Sequence, residues 1–131
     1  QTLPMSLLFV NMDIYLERKM ANKNRRKGHD FEREIVNRMK DLGFDKAVTS
    51  RYASKMMDDM KVDLCNTEPF YIQAKCLGKA PSIRKVLGEM PETENMNVIF
   101  WKVPKDNDQY AILHLEDFYE IIEMLKSNKI L

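Results

Sequence analysis

The sequence predicts an α/β chain of the α+β kind, with a central mixed sheet flanked by helices in the order α-β-β-β-α-β-β-α. Three observations carry this. Phe31, Ile35, Val36, Met39 and Leu42 recur at helical spacing, and Phe70 to Cys76 sets Phe70, Ile72 and Ala74 against Tyr71, Gln73 and Lys75 as a strand does. Met96 to Val103 is a near-continuous apolar run, typical of a fully covered strand. At 131 residues and 44% apolar content, the chain has enough material for one α/β core and too little for two ordinary domains.

The first helix is predicted to open at Asp30 as N-cap and to stop at Gly43. A strand from Phe44 to Ser50, a polar loop from Arg51 to Met60 and a second strand from Lys61 to Cys65 follow. Asn66-Thr67-Glu68-Pro69 then turns into the third strand, Phe70 to Cys76, so that the middle strands form a hairpin. Pro81 to Met90 is a short helix, Lys105 to Asp108 a turn, and Tyr110 to Leu115 another strand. Glu116 to Lys126 closes the chain as a helix with Phe118, Ile121, Ile122 and Leu125 on one stripe.

Residues 23–131 are thus expected to form a single domain. Residues 1–22 are read as an N-terminal extension that is an added strand or helix, or a segment outside the functional domain. The apolar run Ser6 to Val10 is short, lacks a basic segment before it and small residues after it, and so does not read as a secretory signal.

Charged residues are 31% of the chain and sum to +1, so total charge neither requires nor excludes a nucleic-acid partner. Their distribution is uneven, with Lys and Arg concentrated between Lys23 and Lys61 and acids between Glu89 and Glu123. Cys65 and Cys76 are too few for a four-cysteine zinc site, and His29 and His114 are not spaced to complete one. Both cysteines are read as reduced thiols. No stretch approaches the roughly 20 apolar residues that span a bilayer, so a soluble, cytoplasmic protein without a membrane partner is expected.

Several polar residues stand where burial is expected. Advancing about 100° per residue places the five apolar side chains of the first helix within an arc of about 140°, and Glu32 falls inside it while Glu34 falls outside. A carboxylate on a buried stripe is costly unless paired or bound to a cation, so Glu32 is either a site residue or a helix-edge acid paired with an arginine. Asp63 lies between Val62 and Leu64, and Gln73 and Lys75 project from one face of the neighbouring strand. For Asp63 to share that face, the hairpin must contain an odd loop or a bulge.

Arg26-Lys27-Gly28, then Glu32-Arg33-Glu34, the Gly43-Phe44 helix end, Val62-Asp63-Leu64 and Gln73-Ala74-Lys75 together resemble the PD-(D/E)XK nuclease superfamily, and within it the archaeal-type and phage Holliday junction resolvases. The motif likeness covers Arg25 to Lys75; the later elements agree by order. The chain departs from the commoner pattern in carrying Gln73 where most such nucleases have Glu, although Gln-x-Lys versions occur among phage endonuclease-like relatives.

The resemblance implies a restriction-endonuclease-like αβββαβ core and a metal-dependent DNA endonuclease acting on branched DNA. Its catalytic set would be Glu32, Asp63, Gln73 and Lys75. Mg²⁺ would be held by Glu32, Asp63, the Gln73 side-chain oxygen and the Ala74 carbonyl, with Mn²⁺ as a substitute because one carboxylate is replaced by an amide. Lys75 would orient the attacking water. Lys23, Arg25, Arg26, Lys27, Arg51, Lys55, Lys79, Arg84 and Lys85 would position DNA phosphates, and Tyr52, Tyr71 and Trp101 would pack rather than stack on bases. A symmetric homodimer through the final helix or the N-terminal extension is implied, with the host cytoplasm as location if the protein is phage-encoded. Two other readings stand beside it: a nuclease of this fold with another DNA substrate, such as a nicking or repair enzyme, and a catalytically weak DNA-binding protein.

Overall fold

A computed structural model describes the backbone of residues 5–131, with side chains described from Met12 onward. Residues 1–4 of the expected extension and the side chains of the Ser6 to Val10 run lie outside that description. The long helix α1 (Met5–Asp41) is followed by strand β1 (Val48–Thr49) and two short helices, α2 (Ser50–Ala53) and α3 (Lys55–Asp59). Then come β2 (Leu64–Cys65), β3 (Phe70–Cys76), α4 (Ile83–Glu89), β4 (Met96–Lys102), β5 (Gln109–Leu113) and α5 (Leu115–Ser127). Apart from α2 and α3, the order is the one expected, and the fold is α+β.

Four local expectations are corrected. Helix α1 does not begin at Asp30 but runs unbroken through the 22/23 boundary, because Met12 to Lys27 is rich in helix formers and contains no proline. The Asp30 carboxylate pairs with Arg33 instead of capping a helix start. The Arg51–Met60 loop is helical, with the Ser54 hydroxyl accepting from the Met57 N–H at 3.2 Å as the α3 N-cap. The strands expected from Phe44 and Lys61 shrink to two residues each: Ser50 already opens α2, and Lys61 turns the chain at φ 66°.

The fourth correction concerns the hairpin. β2 pairs antiparallel with β1, whereas β3 pairs in parallel with β4, which pairs antiparallel with β5. β2 and β3 therefore diverge as a fork, joined where the Asp63 N–H donates to the Ile72 carbonyl at 2.8 Å. The two sheets are ordered β1-β2 and β3-β4-β5.

Helices cover both faces of the three-stranded sheet. On one side Phe31, Ile35, Val36 and Met39 of α1 pack with Leu64, Ile72 and Ala47, flanked by Phe44, Phe70, Ala74 and Phe100. Helix α5 joins this side through Phe118 and Ile121, leaving an apolar cleft of about 320 Å³ against Leu42, Val98 and Leu113. On the other side Val86, Leu87 and Met90, from α4 and its C-cap, pack with Val62 and Ile99, beside Tyr71 and Ile112. Gly43, at φ 104°, ends α1: its N–H reaches the Lys40 carbonyl and the Phe44 N–H the Met39 carbonyl, both at 3.0 Å. This left-handed stop turns Phe44 back onto the core.

Candidate active site at the strand fork

Asp63 sits at the fork between β2 and β3 and is fixed there three times. Its N–H donates to Ile72, its carbonyl accepts from the Ser50 N–H at 2.8 Å, and carboxylate Oδ2 accepts from the Ala74 N–H at 2.8 Å. The last bond answers the parity condition on the hairpin by another route. An opened fork, with no complete ladder between the strands, lets the Asp63 side chain reach the backbone of the Gln73-Ala74-Lys75 segment directly.

Burial dominates the electrostatics. Desolvation pushes the Asp63 carboxyl from its usual value of 3.8 up to about 7, against the lowering effect of the Ala74 N–H. The Glu32 and Asp58 carboxylates raise it further and Lys75 opposes them. Glu32, whose side chain is 14% exposed, is also raised by burial, in spite of Arg51 and His29. Both alternatives weighed for Glu32 therefore meet in one residue: it lies on the buried stripe, and Oε2 accepts from the Arg51 guanidinium at 3.4 Å.

Gln73 is the most buried member of the set at 4% exposure, and its Oε1 has no hydrogen-bond partner. Buried carbonyl oxygens are normally satisfied, and an unmet one costs about 1–3 kcal/mol. It faces the α4 side of the sheet together with Lys75, as strand alternation requires.

Glu32 is close enough to Asp63 for its carboxylate to act on the other, a repulsion that a hard divalent cation would relieve, and Gln73 Oε1, on the residue next to the Ala74 N–H that Asp63 accepts, is a further hard oxygen without a partner. Among the described residues, no three His, Cys, Asp or Glu side chains gather as a metal-holding group. A cation here would depend on Gln73 and backbone oxygen beside the two acids.

No protein family, characterised protein or solved structure matches this chain.

The basic residues fall into separate regions. Lys23, Arg25 and Arg26 are exposed on the part of α1 that extends away from the core, and Lys27 lines a cleft of about 240 Å³ with Lys102 and Lys105. Arg51 adjoins Glu32, Lys55 is exposed and paired with Asp59 at 2.8 Å, Lys79 lies in the loop after β3, and Arg84 and Lys85 are exposed on α4.

The sequence reading missed Arg33 and Lys40. With Arg51 and Tyr52 they line a cleft of about 370 Å³ between α1 and the β1–α2 segment, one residue from Glu32. Their spacing of seven along α1 was the available signal, since it places both on one helix face. Asp58, close enough to raise both site carboxyls, was hidden in what read as a loop. Tyr52 is 84% exposed and does not pack, contrary to expectation, whereas Tyr71 does pack beside α4.

Proposed function

We propose that this protein is a metal-dependent DNA endonuclease that hydrolyses phosphodiester bonds in branched DNA, in the manner of a Holliday junction resolvase. The observation that carries this reading is the fork itself. Asp63 is held against the Ala74 N–H within the influence of Glu32 and Lys75, and Gln73 Oε1 is buried and unmet on the same strand as Lys75.

Glu32, Asp63, the Gln73 amide oxygen and the Ala74 carbonyl would hold Mg²⁺ or Mn²⁺. A bound ion would supply a nucleophilic water and neutralise charge on the leaving oxygen. The chain's residues do the rest. Lys75 offers an ammonium to the attacking water and to the charge that develops on the phosphoryl oxygens. Arg51 has two partners to choose between, Glu32 and an incoming phosphate, and Arg33 and Lys40 continue its cleft for the flanking backbone. These contacts read phosphates rather than bases, which suits a substrate defined by shape.

Four-way junctions are the favoured substrate because the motif resemblance points to resolvases, and a two-fold dimer would set two sites on opposed strands. Phe118, Tyr119 and Met124, exposed on α5, are the apolar residues offered for that contact. The second reading, a DNA-binding protein with weak catalysis, is favoured by one observation: Gln73 leaves the site with two nearby acids where a third would hold the ion more tightly.

Labelled four-way junction and matched linear duplex, incubated in Mg²⁺ and in Mn²⁺ beside Asp63→Ala, test the proposal. Paired symmetric nicks on the junction, absent in the variant, are expected. Tight junction binding with no cleavage in either metal would favour the second reading.

A further inference from the structure

The α4 side of the sheet can be read row by row across its strands. Tyr71 stands beside Asn97, Gln73 beside Ile99 and Ile112, and Lys75 beside Trp101 and Tyr110. Val86, Leu87 and Met90 pack against Ile99 and its neighbours. The third row is different. Trp101 and Tyr110 stack with centroids 5.1 Å apart and planes inclined by 29°. The indole N–H donates to the Leu77 carbonyl at 2.8 Å, which fixes the ring, and Tyr110 remains 49% exposed on edge strand β5.

A cross-strand aromatic pair stabilises a two-stranded ribbon wherever it lies. That role does not require the pair to abut the site lysine or to stay open to solvent. Neighbouring strands are about 4.8 Å apart, so the indole is the next side chain across the sheet from Lys75. A phosphate held at Lys75 would carry its own nucleotide's base within reach of that ring.

We propose that Trp101 and Tyr110 form a stacking platform for one unpaired nucleobase beside the phosphate held at Lys75, so that the site selects DNA strands with an unstacked base. The proposal rests on the endonuclease reading for the position of the phosphate. Bases inside a continuous duplex have both faces covered by their neighbours, whereas those at a branch point or in a single-stranded flap can lie on an aromatic ring. Charge favours the β3 side for the backbone: exposed Lys79 follows Leu77, while Lys105 on the β4–β5 turn is offset by Asp106 and Asp108. Trp101 is thereby reassigned from packing residue to recognition residue.

Trp101 is the only tryptophan in the chain, so its emission reports directly on the platform. The full chain, in EDTA, is titrated with a duplex bearing a single-stranded flap, with the same DNA carrying abasic residues at the first three unpaired positions, and with flush duplex. Binding is followed in parallel by anisotropy of the labelled DNA. Quenching by the flap DNA is expected, together with roughly 5- to 150-fold weaker binding and loss of quenching for the abasic form. Tyr110→Ser should weaken flap binding and leave flush-duplex binding unchanged.

Saturated anisotropy without a change in emission, equal affinity for the abasic DNA, or equal quenching by flush duplex would overturn the platform. Quenching that depends on the base, in a protein that never cleaves DNA in Mg²⁺ or Mn²⁺, would uphold the platform and remove the nuclease. Failure to bind any of the three DNAs would overturn the platform; the endonuclease reading falls with it only if the four-way junction is also left unbound and uncut in Mg²⁺ and Mn²⁺.

Discussion

Strand β3 turns Phe70, Ile72, Ala74 and Cys76 towards α1, and Tyr71, Gln73 and Lys75 towards α4, so one backbone supports two unlike environments. On the α1 side every one of these groups is apolar or a thiol and is packed in a continuous core. On the α4 side an amide oxygen is buried without a partner, Asn97 Oδ1 on the adjacent strand is likewise unmet, and a lysine acts on a raised carboxyl. Burial contributes stability on the first side. On the second it is opposed by the cost of buried polar groups, which is the pattern expected when a site is arranged for a ligand.

Asp63→Asn should separate the two sides most sharply. The folded carboxyl titrates near 7 and the unfolded one near 3.8, so between those values the folded state holds a proton that the unfolded state releases. The stability this provides is complete below pH 3.8 and is lost as pH rises through 7, a span on the order of 4 kcal/mol. Removing the charge should therefore raise the melting temperature at pH 8 while leaving it nearly unchanged at pH 4. Cleavage by the same variant should fall by at least about 100-fold. In the parent protein the metal concentration needed for cleavage should fall as pH rises towards 7, because a metal must displace the proton that burial holds on Asp63. A melting temperature at pH 8 that drops in Asp63→Asn would show that the carboxylate is a structural partner and no liability.

Ile72→Ala tests the opposite side of the same strand. Ile72 is fully buried in the α1 core, and the substitution should cost about 2–5 kcal/mol in denaturant unfolding. Binding of flap DNA by the protein that remains folded should be unchanged. Its neighbour gives the reverse. Gln73→Leu fills similar space without the orphaned oxygen and should stabilise by about 1–3 kcal/mol, with cleavage lost. A destabilising Gln73→Leu would mean that Oε1 is satisfied within the fold and is not left open for a ligand.

The succession of elements, apart from α2 and α3, and the buried stripe of α1 were legible because they depend on periodicity, which is local. Phe31, Ile35, Val36 and Met39 are buried where their spacing puts them, and Glu32 follows them inward. The fork was not legible. Whether β2 pairs with β3 or with β1 depends on which partner β3 finds, and its parallel partner β4 begins 20 residues after β3 ends. The Asp63-to-Ala74 bond depends on that divergence and has no sequence signature. The α2–α3 segment was hidden for a different reason: four- and five-residue helices are too short for an amphipathic period to show. The place of Tyr110 beside Trp101 was not legible because it follows only from the register of β5 on β4.

The smallest effect is expected from Lys102, on the α1 side of the sheet. Its ammonium bonds Glu34 at 2.9 Å and lies 5.8 Å from the centre of the Phe31 ring. The Lys102 hydrogen bond is the largest influence on the Glu34 carboxyl and holds it below its ordinary 4.5, helped by Gln109. Because Glu34 is about half exposed, water screens the pair, and Lys102→Ala should cost less than about 1 kcal/mol. A lowered carboxyl stabilises the fold above its unfolded value and ceases to do so as pH falls through its folded one. The difference in unfolding free energy between parent and variant should therefore be complete above pH 4.5 and shrink below it. A difference that persisted at pH 2 would belong to the Phe31 contact instead, since a lysine over an aromatic ring keeps its charge there. Cleavage should be the same in both proteins, because Lys102 points away from the face that carries Gln73 and Lys75.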